Sequence, residues 1–220
     1  MATSQLSETR VSDQDQLLAR AAAGDQDAIS TLLSQHRERL RHMIGLRLDR
    51  RLYGRVDASD VVQEAVIEAA RRLPDYAAQP PMEFYLWLRQ LATQKLIDTH
   101  RRHLGAKKRN AGNDVSLFRG ALPEASSMSL AHHLLGRLTT PTTAARRAEL
   151  QLRIQEALNG LDAVDREVLV LRHFEQLSNQ ETAQVLGLSR SAASKRYVLA
   201  LSRLREHMVG IPGFEDWRGS

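Results

Sequence analysis

A group of hydroxyl and cationic side chains near the C-terminus has the residue types that DNA binding requires. Between 189 and 204, apolar residues recur every three or four positions, which predicts a helix with one buried side. The opposite side and its flank carry Arg190, Ser191, Ser194, Lys195 and Arg196. Such donors can bond base edges and positive charge attracts phosphates, as in a helix lying in a DNA major groove. The alternative is an ordinary helical hairpin with a solvated basic face.

The residues just before this helix predict how it is positioned. Ser178 is followed three residues later by Glu181, which is the spacing of a capping box at a helix start. The short helix is expected to end at Leu186, because Gly187 suits the left-handed conformation at a helix end. Ser189 then caps the second helix. Two capped helices joined by a tight turn, with a basic face on the second, indicate a helix-turn-helix that binds DNA.

A polar face is predicted on the helix DVVQEAVIEAARRL, residues 60–73, which Asp57 can cap. Its apolar residues share one side, while Asp60, Gln63, Glu64 and Glu68 share the other. Two carboxylates beside an amide could indicate acid–base chemistry, but no nucleophile, metal-ligand set or phosphate loop accompanies them. We interpret the face as a protein-binding surface, with a merely solvated face as the open alternative.

The segment 82–103 predicts a helix that combines aromatic and basic residues. Trp87 lies on its apolar face, and Arg101 and Arg102 begin a basic run at its end. An aromatic ring beside arginines can stack on unpaired bases. A tryptophan on a helix more often belongs to the core, and we expect a core position for Trp87.

Composition limits the classes of function. The 220 residues include 31 Lys and Arg against 26 Asp and Glu, a formal charge of +5 that is compatible with a polyanionic partner. There is no cysteine, which excludes disulfides, thiol nucleophiles and cysteine-ligated metals. The polar start has no secretory signal, and no run approaches the ~20 apolar residues of a membrane span. We therefore expect a cytoplasmic protein without cofactor or metal.

The periodicity and the breaks along the chain predict an all-α protein of two small helical domains joined by a flexible linker. Gly24-Asp25 should separate two helices, 74–81 should form a loop, and Thr140-Pro141 should start a helix. We expect a disordered N-terminus (1–12), a first domain (13–104), a linker with some helix near 130–138 (105–140), a second domain (141–208) and a loose tail (209–220).

Several motifs in this order resemble those of bacterial sigma factors. They are Asp60-Val61-Val62-Gln63-Glu64, the Trp87-Leu88…Leu91-Ala92 helix, the segment Leu161…Arg172 and the helix-turn-helix. The chain is similar to the extracytoplasmic-function (ECF) subgroup of the sigma-70 family, which keeps only sigma domains 2 and 4. The resemblance runs from about Leu17 to Leu204.

The resemblance implies partners for the first domain, which would be sigma domain 2. Asp60, Gln63 and Glu64 match the motif that docks on the clamp helices of the RNA polymerase β′ subunit. The helix 84–102 matches the part that opens the promoter −10 element and holds its non-template strand. The positions implied there are Gln90, Thr93, Gln94 and Lys95 near the bases, Arg101 and Arg102 at phosphates, and Trp87 in a partly structural role.

The second domain would be sigma domain 4, whose recognition helix reads the promoter −35 element while other surfaces contact the polymerase β flap. The linker would pass through polymerase between the domains, and an anti-sigma factor is a further partner that the family often has. The chain departs from the common pattern in places. Gln94 replaces the usual Asn, and Leu199 stands where Arg is frequent. In the recognition helix the common Thr-Val-Lys-Ser-Arg run is Ala192-Ala193-Ser194-Lys195-Arg196, in which only the arginine matches in place.

Three hypotheses for function follow. The first is a non-enzymatic sigma factor that recruits RNA polymerase and melts promoter DNA. The second is a stand-alone transcription regulator whose helix-turn-helix binds duplex operators; it does not need the polar DVVQE face or the aromatic–basic helix. The third is a nucleic-acid enzyme that uses Asp57, Asp60 and Glu64 around a metal, for which further ligands are lacking. We prefer the first.

Overall fold

A computed structural model of the chain describes residues 13, 15–104, 123–137 and 144–209, and every element in that part is helical. The prediction of an all-α fold is therefore confirmed. In chain order the helices are α1 (15–22), α2 (Gln26–Arg47), α3 (Ala58–Ala78), α4 (Phe84–Leu104), α5 (Ser127–Arg137), α6 (Ala144–Asn159), α7 (Ala163–Leu169), α8 (Asn179–Leu186) and α9 (Arg190–Met208).

The described residues form two compact units. One contains the residues up to Ile44 and those from Leu52 to the end of α4, and the other contains 45–51 and the residues from 123 onward. Three earlier predictions lie outside the described residues: the disordered 1–12, the helix start at Thr140-Pro141 and the tail beyond 209.

The break between α1 and α2 lies at Gly24, as predicted. Its φ of 89° is in the left-handed region, which glycine adopts without a steric penalty. Asp25 follows, and one of its carboxylate oxygens accepts hydrogen bonds from the backbone N–H groups of Asp27 and Ala28, each 3.0 Å long. These bonds cap the start of α2 and separate it from α1.

Helix α3 begins as predicted and ends later than predicted. Asp57 caps it by accepting a 2.7 Å bond from the Ser59 N–H, but the helix continues through Pro74 to Ala78. The prediction of a loop over 74–81 was therefore wrong for its first five residues. Tyr76 explains the extension, because its ring is buried and its hydroxyl donates a 2.8 Å bond to the Met82 carbonyl. These contacts offset the cost of a proline inside a helix, roughly 3 kcal/mol.

The second unit includes α5, which belongs to the segment predicted to be a linker. The expected helix near 130–138 is present, and it packs against α6 in the core of this unit. Leu130, Ala131 and Leu135 are buried beside Ile154 and Leu158. Part of the predicted linker is thus a core element, because its apolar residues recur at helical spacing and find an apolar partner in α6.

The predicted helix-turn-helix is confirmed in its caps, turn and apolar face. Ser178 and Glu181 form the reciprocal capping box at α8, Gly187 has a left-handed φ of 63°, and Ser189 caps α9. Ala193 and Leu204 of α9 are buried, with Tyr197 and Leu201 half-buried against the same core. The sequence upstream also folds as expected, except that α7 ends in a π-helical turn at Val170–Phe174.

Candidate polymerase and nucleic-acid interfaces

The polar face of α3 is exposed as the helical spacing predicts. Asp60, Gln63 and Glu64 all lie at the surface, while Val61, Val62, Ala65 and Ala69 form the buried side of the helix. Ile67, one turn after Glu64, is also exposed, with 46% of its surface accessible. Ile67 was not among the predicted site residues, although its three-residue spacing from Glu64 places it on the same face.

Glu64, which was predicted to contact polymerase, pairs with Arg102, which was predicted to contact promoter DNA. The Arg102 guanidinium of α4 lies 3.2 Å from a Glu64 carboxylate oxygen and also donates a 3.2 Å bond to the Thr99 hydroxyl. Both charged side chains are about half exposed. An ion pair of this kind contributes only about 0–1 kcal/mol, so a stronger partner for either side chain can replace it.

The other polar residues predicted near −10 DNA lie along α4, and most of them pair with carboxylates of the same unit. Lys95 lies 3.9 Å from Glu68 of α3. Gln94 donates a 3.2 Å bond to Asp98, which is also 3.7 Å from Arg101. Gln90 is exposed, and Thr93 is half-buried with its hydroxyl oxygen shielded from solvent. The structure therefore places these residues on one helix, with their charges largely balanced.

Trp87 lies in the core of the first unit, as expected. Its ring stacks on Tyr76 with centroids 4.5 Å apart and is 5.7 Å from the Phe84 ring, and only 8% of the residue is exposed. This packing joins α3 and α4 and favours the structural role of Trp87 over a role in stacking on bases.

The N-terminal half of α9 offers an open polar face. Arg190, Ser191, Ser194 and Lys195 are all exposed. Within residues 144–209 and the other described segments, no carboxylate lies within ion-pair distance of Arg190 or Lys195. Their charges are therefore open to a phosphate, as the sequence analysis proposed for this helix.

Arg196, predicted with that group, has a different environment. Its guanidinium lies 3.1 Å from Asp162 and 2.7 Å from Asp165, and Arg203 contacts the same two carboxylates. Asp165 is fully buried. This cluster was not predicted from the sequence, because its partners are more than 30 residues apart and helical periodicity relates only near neighbours.

Because of this cluster, the stability of the second unit is expected to fall at acidic pH. The backbone N–H of Asp165, 2.8 Å from the Asp162 carboxylate, and the nearby Arg196 hold the pKa of Asp162 below its usual 3.8, despite some burial. A carboxyl group whose pKa is lower in the folded than in the unfolded state stabilises the folded protein at pH values above the unfolded-state pKa. This stabilisation is lost as the pH falls through the folded-state pKa.

We therefore expect the thermal stability advantage of the wild type over Asp162→Asn to shrink between about pH 5 and pH 3. Asparagine is a suitable control because it is neutral and still caps a helix. Thermal unfolding of both proteins, followed by circular dichroism, checks the expectation. An equal difference at both pH values would contradict it.

Two further properties concern only the described residues. No three of their His, Asp or Glu side chains come together in a group that could hold a metal ion, so the structure adds no ligands to Asp57, Asp60 and Glu64. In the same parts of the chain, no helix has both the length and the apolar character needed to cross a membrane.

Comparison with known proteins identifies the family. The family model described as "ECF sigma factor" matches residues 11–210. The chain is 30% identical over 200 residues to the ECF RNA polymerase sigma factor SigD of Mycobacterium tuberculosis, covering 89% of this chain and 84% of that protein. It is 31% identical over 196 residues to the RNA polymerase sigma factor CnrH of Cupriavidus metallidurans, covering 87% and 93%.

A solved structure of CnrH in complex with the cytosolic domain of CnrY is also similar. It has a TM-score of 0.51 and 25% identity, and the match covers 88% of this chain and 95% of that one. The family match spans both compact units and includes the α3 face, α4 and the helix-turn-helix. This chain belongs to the ECF sigma factor family.

Proposed function

We propose that this ECF sigma factor binds core RNA polymerase, directs it to specific promoters and promotes melting of the −10 element. The first unit acts as sigma domain 2 and the second as sigma domain 4. The protein is a non-enzymatic specificity subunit that acts in the cytoplasm. The observation that carries the proposal is the family match over residues 11–210, together with the exposed Asp60, Gln63 and Glu64 on α3 and an open basic face on α9.

The α3 face is the proposed contact with the clamp helices of the β′ subunit. Asp60, Gln63 and Glu64 give it negative charge and hydrogen-bonding capacity, and Ile67 adds an exposed apolar side chain one turn away. An apolar contact surrounded by polar groups is the usual arrangement in a protein interface. A merely solvated face would not require a large exposed apolar side chain beside the polar residues.

The proposed −10 contacts lie on α4. Gln90, Thr93, Gln94 and Lys95 are the residues proposed near the bases, with Arg101 and Arg102 at the phosphates. The pairing of Arg101 and Arg102 with Asp98 and Glu64 is compatible with this role, because exposed ion pairs are weak and a phosphate is a strong competitor for arginine. Trp87 supports the site by packing α4 on α3 and is not proposed to stack on bases.

The proposed −35 contacts are Arg190, Ser191, Ser194 and Lys195 on the open face of α9. Their side chains combine cations for phosphates with hydroxyls for base edges. Other surfaces of the second unit are proposed to contact the β flap of polymerase.

A further proposed partner is an anti-sigma factor that holds the protein when it is free. The support is the likeness to CnrH, whose solved structure contains the cytosolic domain of CnrY. A protein with surfaces for both polymerase and DNA has large areas that a regulatory protein can cover.

The proposal is tested by pull-down of bacterial core RNA polymerase with the full chain, followed by run-off transcription on a pool of genomic fragments. We expect stable binding and discrete new start sites that require the added protein. Core polymerase alone is the control for non-specific initiation, and aligned start sites give the −10 and −35 sequences.

One result would support the second hypothesis instead. If the chain fails to bind core polymerase but is retained on duplex fragments, it acts as a stand-alone regulator. The α3 face would then be a solvated surface, and the proposed roles of Asp60, Gln63 and Glu64 would be wrong.

A further inference from the structure

Two arginines of α9 converge on two carboxylates at the start of α7. Arg196 reaches both carboxylates, with its Nε 2.7 Å from Asp165 and a terminal nitrogen 3.1 Å from Asp162. Arg203, two turns later on α9, lies 3.2 Å from Asp162 and also contacts Asp165. The four side chains form one cluster within the second unit, which we call the α7–α9 clamp.

The carboxylates of the clamp are fixed by the fold. Asp162 caps α7 by accepting a 2.8 Å bond from the Asp165 backbone N–H. The Asp165 side chain has no exposure to solvent, whereas the Arg196 and Arg203 side chains are 37% and 48% exposed. A buried carboxylate is tolerated only when it is paired, so Asp165 requires the arginines.

For Arg196, exchanging its ion pairs with Asp162 and Asp165 for a contact with a DNA phosphate is therefore energetically unfavourable. A phosphate that captured Arg196 would deprive a buried carboxylate of one of the two cations that pair with it in the described part of the chain, which costs more than breaking a surface ion pair. Lys195, the next residue, is exposed and has no carboxylate at ion-pair distance among the described residues. Binding a phosphate would therefore break an ion pair with a buried carboxylate at Arg196, whereas at Lys195 it would break no described ion pair.

We propose that Arg196 is a positioning residue that clamps α9 onto α7, and that Lys195 supplies the phosphate contact at this point of the helix. This inference rests on the proposed function, in which α9 enters duplex DNA. The clamp ties the first half of α9 to the start of α7. The fork of the Arg196 guanidinium suits this task because it donates hydrogen bonds to Asp162 while its Nε lies at ion-pair distance from Asp165.

The experiment compares Lys195→Ala, Arg196→Ala and Arg196→Lys in the full chain. The probe is a 30-base-pair duplex of random sequence, because phosphate contacts need no particular base sequence. Two quantities are measured for each protein: the melting temperature without DNA, and the slope of the logarithm of the binding constant against the logarithm of salt concentration.

We expect Arg196→Ala to lower the melting temperature by about 5 °C, and to weaken duplex binding at each salt concentration while leaving the salt slope unchanged. Lys195→Ala should keep the melting temperature within about 1 °C and reduce the slope by about 0.9, the loss of one phosphate contact. Arg196→Lys keeps the charge and loses the fork, so its melting temperature should remain low.

The opposite pattern would overturn the inference. If Arg196→Ala reduces the salt slope as Lys195→Ala does, and Arg196→Lys restores both properties, Arg196 contacts a phosphate as a simple charge. If the wild type does not bind the duplex, the proposed DNA face of α9 is wrong. In that case the melting temperatures still test whether Arg196 clamps α9 onto α7, because they are measured without DNA.

Discussion

Replacing Glu64 with lysine is expected to lower the affinity for core RNA polymerase by at least about 30-fold, or ~2 kcal/mol. The change reverses a charge in the centre of the proposed α3 face, where it should meet the cations of a complementary partner. The free protein should stay folded, because Glu64 is half exposed and loses only a surface ion pair with Arg102. Titration of labelled protein with core polymerase measures the affinity, and far-ultraviolet circular dichroism checks the fold.

Two control variants separate the causes of any loss. Arg102→Ala breaks the same ion pair but leaves the Glu64 carboxylate for polymerase, so it should bind core polymerase normally. Glu149→Lys makes the same change of net charge at an exposed carboxylate of α6, whose ion-pair partner among the described residues is Arg153, one turn away on the same helix. Wild-type affinity in Glu64→Lys, or an equal loss in Glu149→Lys, would contradict the interface.

Replacing Trp87 with alanine is expected to lower the free energy of unfolding by about 3–5 kcal/mol, the usual cost of removing a buried aromatic side chain. The ring packs against both Tyr76 and Phe84, where it joins α3 to α4, and little of it is exposed. Urea unfolding followed by circular dichroism measures the effect. Because α4 carries the proposed −10 contacts, promoter melting should be lost together with stability.

Trp87→Phe and Ile67→Ala are the controls for this prediction. The first keeps a ring against Tyr76 and should retain most of the stability. The second truncates a 46% exposed side chain of the same unit, with an expected cost of at most about 1 kcal/mol. Unchanged stability in Trp87→Ala with loss of promoter melting would show instead that the ring meets DNA bases.

The ion pair between Glu64 and Arg102 connects the two proposed interfaces of the first unit. Arg102 lies on the proposed −10 helix, where it contacts Thr99, and it also pairs with Glu64 of the proposed polymerase face. A variant of Glu64 therefore also changes the surroundings of a cation that is proposed to bind DNA. Affinity for core polymerase, measured without promoter DNA, isolates the interface effect from this second one.

The sequence by itself determined the features that depend on near neighbours. The capping box of Ser178 and Glu181, the left-handed Gly187 and the caps Asp57 and Ser189 were predicted, because each requires particular side chains within three residues of a helix end. Helical periodicity likewise predicted the exposed polar side of α3. The family resemblance also rested on such contiguous motifs, and the family match confirmed it.

Only the tertiary structure decided which side chains meet across helices. Tyr76 packing on Trp87 extends α3 through Pro74, against the local preference of proline to end a helix. Arg196 and Lys195 look alike as neighbours in the sequence, but among the described residues a fully buried carboxylate pairs with Arg196 and not with Lys195. The physical reason is that burial and long-range ion pairing depend on contacts between residues far apart in the chain, which no local pattern encodes.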